Sequence, residues 1–236
     1  MPPRKIAALV FTPILAGASL HERLLAGLGA LIGIAITGAL AGLMLGHGLS
    51  PLLVAPMGAS AVLVFAVPAS PLAQPWSVIG GNTLSAGVGL LVAHFIPEPV
   101  LATGIAVSLA ILLMSVARCL HPPGGAAALM AVLGGGAVDV WGPMFPVMPV
   151  LVNAVVLTAA GIVFHRLCGR SYPHRPAPVV TTPKAPVPPP HAGFDEEDLD
   201  AALESLDETF DIDREDLIRL MRQVEAEHIA RRTALK

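Results

Sequence analysis

Charge is scarce in this sequence, and almost none of it lies in the middle. Charged residues make up 13% of the 236-residue chain, where a soluble domain carries about 25%. Across residues 24–165 the full charges are Glu98, Arg118 and Asp139 alone. Too little polar surface remains to cover a water-exposed globule, which excludes an ordinary soluble enzyme, a nucleic-acid binder and a disordered protein. Cysteine is scarce too. Cys119 and Cys168 sit near expected cytoplasmic helix ends, so free thiols are expected rather than a disulfide. No Cys-x-x-Cys, Gly-x-x-x-x-Gly-Lys-Ser/Thr, Gly-x-Ser-x-Gly or His-Glu-x-x-His spacing occurs, and the eight histidines are scattered. Those spacings hold metals, phosphates and nucleophiles. Their absence predicts no enzymatic activity, no metal site and no cofactor.

What is present is apolar: 54% hydrophobic residues and a mean hydropathy of +0.73. The runs 24–46, 76–96, 100–116 and 147–167 are each long enough to cross a hydrocarbon core of about 30 Å. Two further runs, 56–67 and 123–134, would give helices of only about 18 Å. They either cross with extended ends or dip in and return. The apolar stretch from Ile6 is broken by Pro13 and followed by His21, Glu22 and Arg23, so no cleaved signal peptide is expected. Arg4, Lys5 and Arg23 precede the apolar region, and Arg166, Arg170, Arg175 and Lys184 follow it, which predicts cytoplasmic termini. If all six runs cross, Arg118 falls inside; if the short runs re-enter, it faces outward. The positive-inside rule prefers six crossings.

The short runs resemble one another. Pro56-Met57-Gly58-Ala59-Ser60-Ala61-Val62 aligns with Pro123-Gly124-Gly125-Ala126-Ala127-Ala128-Leu129 at an offset of 67. Pro75, Asn82 and His94 meet Pro146, Asn153 and His165 at an offset of 71. The chain therefore reads as two units, 24–96 and 100–167, each long helix, short Pro/Gly-led helix, long helix. Three crossings per unit would invert the second relative to the first, an arrangement common in transporters, with a binding site near the midplane. Gly27, Gly29, Gly33, Gly38, Gly42, Gly87 and Gly89 would let helices approach closely. A duplicated bundle that only packs would show the same glycines.

Chemistry is concentrated at Arg118-Cys119-Leu120-His121-Pro122-Pro123-Gly124-Gly125-Ala126. The prolines end one helix and pre-set the next. Gly124, Gly125 and Ala126 then offer backbone N–H groups at a helix start, whose unpaired donors and partial positive charge suit a small anion. Gly58, Ala59 and Ser60 repeat the geometry and add a hydroxyl. Arg118 and a protonated His121 would attract the ion, and Asn82 and Asn153 would supply amides. Each has a plainer reading. Arg118 equally anchors a helix end at the headgroups, His121 caps a helix, the asparagines link helices, and His94 and His165 are interfacial.

His121-Pro122-Pro123, extended through Leu129, resembles the signature of the HPP family of integral membrane proteins. Pro56 to Leu63 and Pro71-Leu72-Ala73-Gln74-Pro75-Trp76 are similar to that family as well, and the likeness covers about residues 20–167. The resemblance implies a bacterial inner-membrane or plastid-membrane protein, usually described with four membrane helices. Plant and cyanobacterial relatives are associated with nitrite transport, so it also implies a small monovalent anion.

After the membrane region the composition changes. Residues 173–190 are proline-rich, an extended tether. Twelve acidic residues fall between Asp195 and Asp216. Leu199, Ala202, Leu203 and Leu206 predict one amphipathic helix. Asp213 can cap a second, whose apolar stripe is Leu217, Leu220, Met221 and Val224. Two short helices bury little core alone and predict a partner: each other, the membrane face or another protein. The tail resembles the segment that precedes paired CBS nucleotide-sensing domains in longer HPP relatives, and no nucleotide regulation is expected within this sequence.

The expected architecture is an all-α polytopic membrane helix bundle with two inverted three-element repeats and a cytoplasmic helical tail. Its divisions are 1–23 (interfacial), 24–167 (membrane), 168–194 (linker) and 195–236 (tail). The expected function is a transporter or channel for a small anion in the inner membrane. The rival is a non-transporting anchor, assembly or regulatory protein that acts through the tail. Expected partners are the bilayer, the anion, further copies of the chain and a protein for the tail, with no nucleic acid.

Overall fold

Proline sets where the helices begin. The computed structural model describes residues 20–45, 53–174, 195–206 and 214–234. Its helices are α1 Leu20–Leu45, α2 Pro56–Ala66, α3 Pro75–Phe95, α4 Pro99–Val116, α5 Pro122–Leu133, α6 Ala137–Trp141 and α7 Val152–Leu167. α2, α3, α4 and α5 each open on a proline, whose missing N–H costs nothing in a first turn. A 3-10 turn, Pro71–Ala73, precedes α3, and a kinked turn, Pro146–Leu151, leads into α7. Among the described residues no strand occurs.

Four segments are long and apolar enough to cross a membrane: Leu20–Leu43, Pro75–Phe95, Pro99–Val116 and Pro146–Leu167. This is a multi-pass helical membrane protein. Pro122–Leu133 and Ala137–Met144 form a pair bent by 69°, which adds a fifth crossing if it is one broken span. The expectation of six crossings is not met by length. α2 has 11 residues, about 16 Å of helix, and is too short to span alone. The bend lies at Gly134, Gly135 and Gly136, all at positive φ, where a side chain would be strained.

α3 is the centre of the bundle. It packs most extensively against α5, then α4, the Pro146–Leu151 turn and α7. The core around it includes Met57, Val64, Phe65, Val78, Phe145, Val150 and Leu157. α1 contributes one narrow stripe of small buried residues, Gly29, Gly33, Thr37 and Ala41, at four-residue spacing. A methyl placed on Gly29 or Gly33 would sit 2.5 or 2.6 Å from the Phe65 ring, so these two glycines are seats for that ring. Gly89 likewise lies against the Ala128 backbone, whereas nothing lies within 4 Å of such a methyl at Gly27 or Gly87. Leu24, Leu31 and Leu43 of α1 and Val100, Leu112 and Val116 of α4 are exposed, as a lipid-facing surface requires.

α8 (Glu196–Leu206) and α9 (Arg214–Ala234) belong to a second unit, described by itself. Leu199 and Leu203 of α8 are buried with Ile218 of α9, and Leu217 packs beside them. The Arg214 guanidinium donates to both Asp200 oxygens at 2.9 and 2.8 Å. Those bonds hold the Asp200 carboxyl below its ordinary range. Of the expected stripe, Leu217 packs in this pair while Leu220, Met221 and Val224 are exposed, and Ile218 takes the buried place. The Asp213 cap, most of the proline-rich tether, and Arg4, Lys5, Arg175 and Lys184 of the basic flanks lie outside the described residues.

Candidate functional site

His121 is the residue just before α5, and its ring is fully buried. Nδ1 lies 2.8 Å from the Leu72 carbonyl, and Nε2 lies 2.8 Å from Ser60 Oγ in α2. A carbonyl only accepts, so Nδ1 carries the proton in this bond. Ser60 Oγ is 3.1 Å from the Pro56 carbonyl and accepts from Asn82 Nδ2 at 3.1 Å. Asn82 Nδ2 also donates to Val78 C=O at 2.9 Å. A continuous polar chain thus runs from α3 through α2 to the start of α5, with Ser60, Asn82 and His121 all at 0% exposure. The structure joins the start of α5 to the second turn of α2 through this chain.

The Leu72 carbonyl is held in place from several sides. Ser70 Oγ accepts from Leu72 N–H, and Ser77 Oγ donates to the Pro71 carbonyl at 2.9 Å. Gln74 Nε2 donates to the Pro68 and Ser70 carbonyls, both at 2.9 Å. Tyr172 Oη donates to the Ala73 carbonyl at 2.7 Å, and burial pushes its phenol well above the ordinary tyrosine value. Tyr172 therefore stays a donor throughout the physiological range. The turn Pro71–Ala73 is the part of the site that the residue chemistry of the sequence concealed. Its contribution is a backbone oxygen, and only its likeness to the family marked it.

Arg118 lies in the turn before His121 and is exposed. Its φ is +53°, the left-handed region. Cys119 N–H bonds the Met114 carbonyl at 2.9 Å and Arg118 N–H bonds the Ser115 carbonyl at 3.2 Å, a helix-ending motif whose left-handed place usually goes to glycine. Gly169, φ +73°, fills that place after α7, where Arg170 N–H bonds the His165 carbonyl at 2.8 Å. Trp76 Nε1–H donates to the Ala117 carbonyl at 3.0 Å and ties the Arg118 turn to α3.

The glycines divide. Gly124 is closed off: a methyl there would meet Ser85 Oγ at 2.8 Å, the Gly81 carbonyl at 2.9 Å and Met114 Sδ at 2.9 Å. Its N–H bonds the His121 carbonyl at 2.8 Å. It serves the α3–α5 contact rather than a ligand. Gly125 is half-buried, and Gly58, Ala59 and Ala126 are exposed. Met57 and Gly58 N–H bond the Val54 and Ala55 carbonyls, both at 3.0 Å. With prolines and these turn bonds, the first three positions of α2 and α5 keep no spare amide. That is a much sparser donor set than a bare helix start supplies.

Asn153 is buried on α7 and donates to the Pro149 carbonyl at 2.8 Å. Asn82 Oδ1 and Ser85 Oγ are buried on one face of α3 without a partner among the described residues. They leave hydrogen-bonding capacity beside the chain. Of the two paired histidines, His94 is exposed but His165 is not interfacial. It is fully buried, its Nε2 bonds the Val64 carbonyl at 2.9 Å, and its ring stacks on Phe65 at 5.9 Å. Cys119 and Cys168 are free. Among the described residues no group of three His, Cys, Asp or Glu side chains is placed to hold a metal.

Comparison with known proteins sets the chain among membrane proteins. A protein of Dictyostelium discoideum named as a transmembrane protein is 40% identical over 131 residues, 51% of this chain and 44% of that one. A second transmembrane protein of the same organism is 44% identical over 79 residues, 32% of this chain and 25% of its own. The chain thus spans less than half the length of these relatives. No solved structure matches. The profile of the HPP transmembrane region matches residues 16–173, which takes in every membrane helix and the whole polar chain around His121. This chain belongs to the HPP transmembrane region family.

Proposed function

We propose that the protein is a transporter for a small anion, with its site where α2, α3 and the start of α5 meet. The observation that carries this reading is the buried Asn82–Ser60–His121 chain inside an apolar bundle. Buried polar groups at membrane depth are expensive to keep and mark solute or proton pathways. The Ser85 hydroxyl, buried beside this chain without a partner among the described residues, is a donor of the kind an anion takes. Arg118, exposed in the adjoining turn, attracts the ion to the mouth. No catalytic step is part of the proposal. Nitrite is the first solute to test, because it is the anion associated with relatives of this family. An inner-membrane location with cytoplasmic termini and assembly from several copies complete the reading.

Proteoliposomes carrying the purified protein test it, with uptake of nitrite, nitrate, formate and chloride measured in turn. At least one anion should enter faster than in protein-free vesicles, and Arg118→Ala should slow that uptake about tenfold, the effect of losing electrostatic attraction at the mouth. Uptake of none of them would remove the reading. The second reading, an anchor acting through its tail, is favoured by the exposed Leu220, Met221, Val224 and Ile229 of α9. A phenotype lost on deletion of 192–236, with no flux in the intact protein, would support it.

A further inference from the structure

The site as built has a charge problem. Among the described residues no Lys or Arg is buried beside the polar chain, and the positive charge nearest it in sequence, Arg118, is exposed. Prolines and tight turn bonds leave no spare amide in the first three positions of either short helix. A bare anion at this depth would lack a counter-charge, and burying an unpaired charge is very costly. The group able to supply one is His121. The other titratable or charged groups around the site are few: α7 brings buried His165 to the Val64 carbonyl of α2, and Arg170 beyond it is paired with Glu22. α2 and α5 carry none, α3 has only His94 at its far end, and α4 is preceded by Glu98 at its opposite end. The turn holds exposed Arg118 and the buried Cys119 thiol, and the C-terminal segment brings Tyr172 and His174 to Ala73 and Gln74.

The hydrogen-bond geometry accommodates either protonation state of His121 without breaking the chain. Ser60 has one hydroxyl proton and two acceptors within reach, His121 Nε2 at 2.8 Å and the Pro56 carbonyl at 3.1 Å. With neutral His121, Nδ1–H donates to Leu72 and the Ser60 hydroxyl donates to Nε2. With imidazolium, Nε2–H donates to Ser60 Oγ, and the hydroxyl rotates to donate to Pro56. Asn82 Nδ2 donates to Ser60 Oγ in both. One hydroxyl rotation therefore exchanges the two states, and no donor is left unpaired in either.

We propose that the anion moves together with a proton carried by His121, so that the transported unit is electrically neutral. The proposal rests on the anion-transport reading and specifies its coupling ion. A proton from the water on the entry side binds His121 Nε2 as the anion arrives. Both leave on the opposite side, Nε2 regains the Ser60 hydroxyl bond, and the net charge crossing is zero.

The test uses the full chain in vesicles containing a pH-sensitive dye, with potassium and valinomycin setting the membrane potential, and nitrite and nitrate as probes. Protein-free vesicles subtract leakage of undissociated acid. The expected result is internal acidification one for one with anion uptake, at a rate that does not change when the potential is reversed. In His121→Gln, whose amide retains a donor and an acceptor, proton movement should be lost and any remaining uptake should follow the potential. Anion uptake without acidification by the unaltered protein overturns the coupling and leaves transport standing. No uptake of either anion by the unaltered protein overturns this proposal for both probes together with their transport. Unchanged coupling in His121→Gln removes His121 from it.

Discussion

Arg118 occupies a backbone place that Gly169 fills at the end of α7. A side chain there costs about 1 kcal/mol relative to glycine. Arg118→Gly should therefore raise thermal stability in detergent by about that amount, while the anion uptake proposed here falls. Stability gained with uptake unchanged would make the arginine a mere helix end. Ser60→Ala acts in the opposite direction. It leaves His121 Nε2 buried without its partner and should destabilise the protein by about 1–3 kcal/mol, read from the same melting curves. Ser60, Asn82 and His121 were legible in the sequence because they are polar residues in an apolar region, the first two within the repeated segments and His121 just ahead of one. Gly124 was not. A sequence shows that a glycine lacks a side chain, but not whether a ligand or a neighbouring helix fills the space, and here Gly81, Ser85 and Met114 do. The Leu72 carbonyl was hidden for a related reason, since any residue carries one.

At the level of elements, the starts of α2 to α5 were readable within one or two residues, because proline is tolerated in the first helical turn and little further in. The packing role of individual glycines was not, since it depends on which face meets a neighbour. Gly33→Leu should lower stability by about 1–3 kcal/mol by driving a side chain into Phe65. Gly87→Ala, with open space around it, should change the melting temperature little or raise it slightly. In the α8–α9 pair the Asp200 carboxyl is held low by Arg214. A depressed folded value stabilises above the unfolded value and is lost as pH falls through the folded one. The contribution is small because Asp200 is exposed. Asp200→Asn should abolish that acid dependence of the pair, followed by amide exchange of α8.

For the whole molecule, charge scarcity fixed the class, and helix lengths corrected the crossing count. Six was preferred on the strength of Arg118 alone, a single residue that the structure places in a strained helix-ending turn. Four spans put the two ends of the membrane region on one side, and a fifth, through the bent pair, would separate them. Since the membrane helices and α8–α9 are separate compact units, deleting 195–236 should leave the melting midpoint of the membrane part and its anion uptake unchanged.

The bond from Trp76 to the Ala117 carbonyl has a practical consequence. The chain holds two tryptophans, Trp76 and Trp141, and the second sits beyond the glycine bend. With Trp141→Phe, the remaining indole becomes a native fluorophore latched to the segment that carries Arg118 and His121. Quenching or a spectral drift on titration with a permeant anion would then register occupancy without any attached dye.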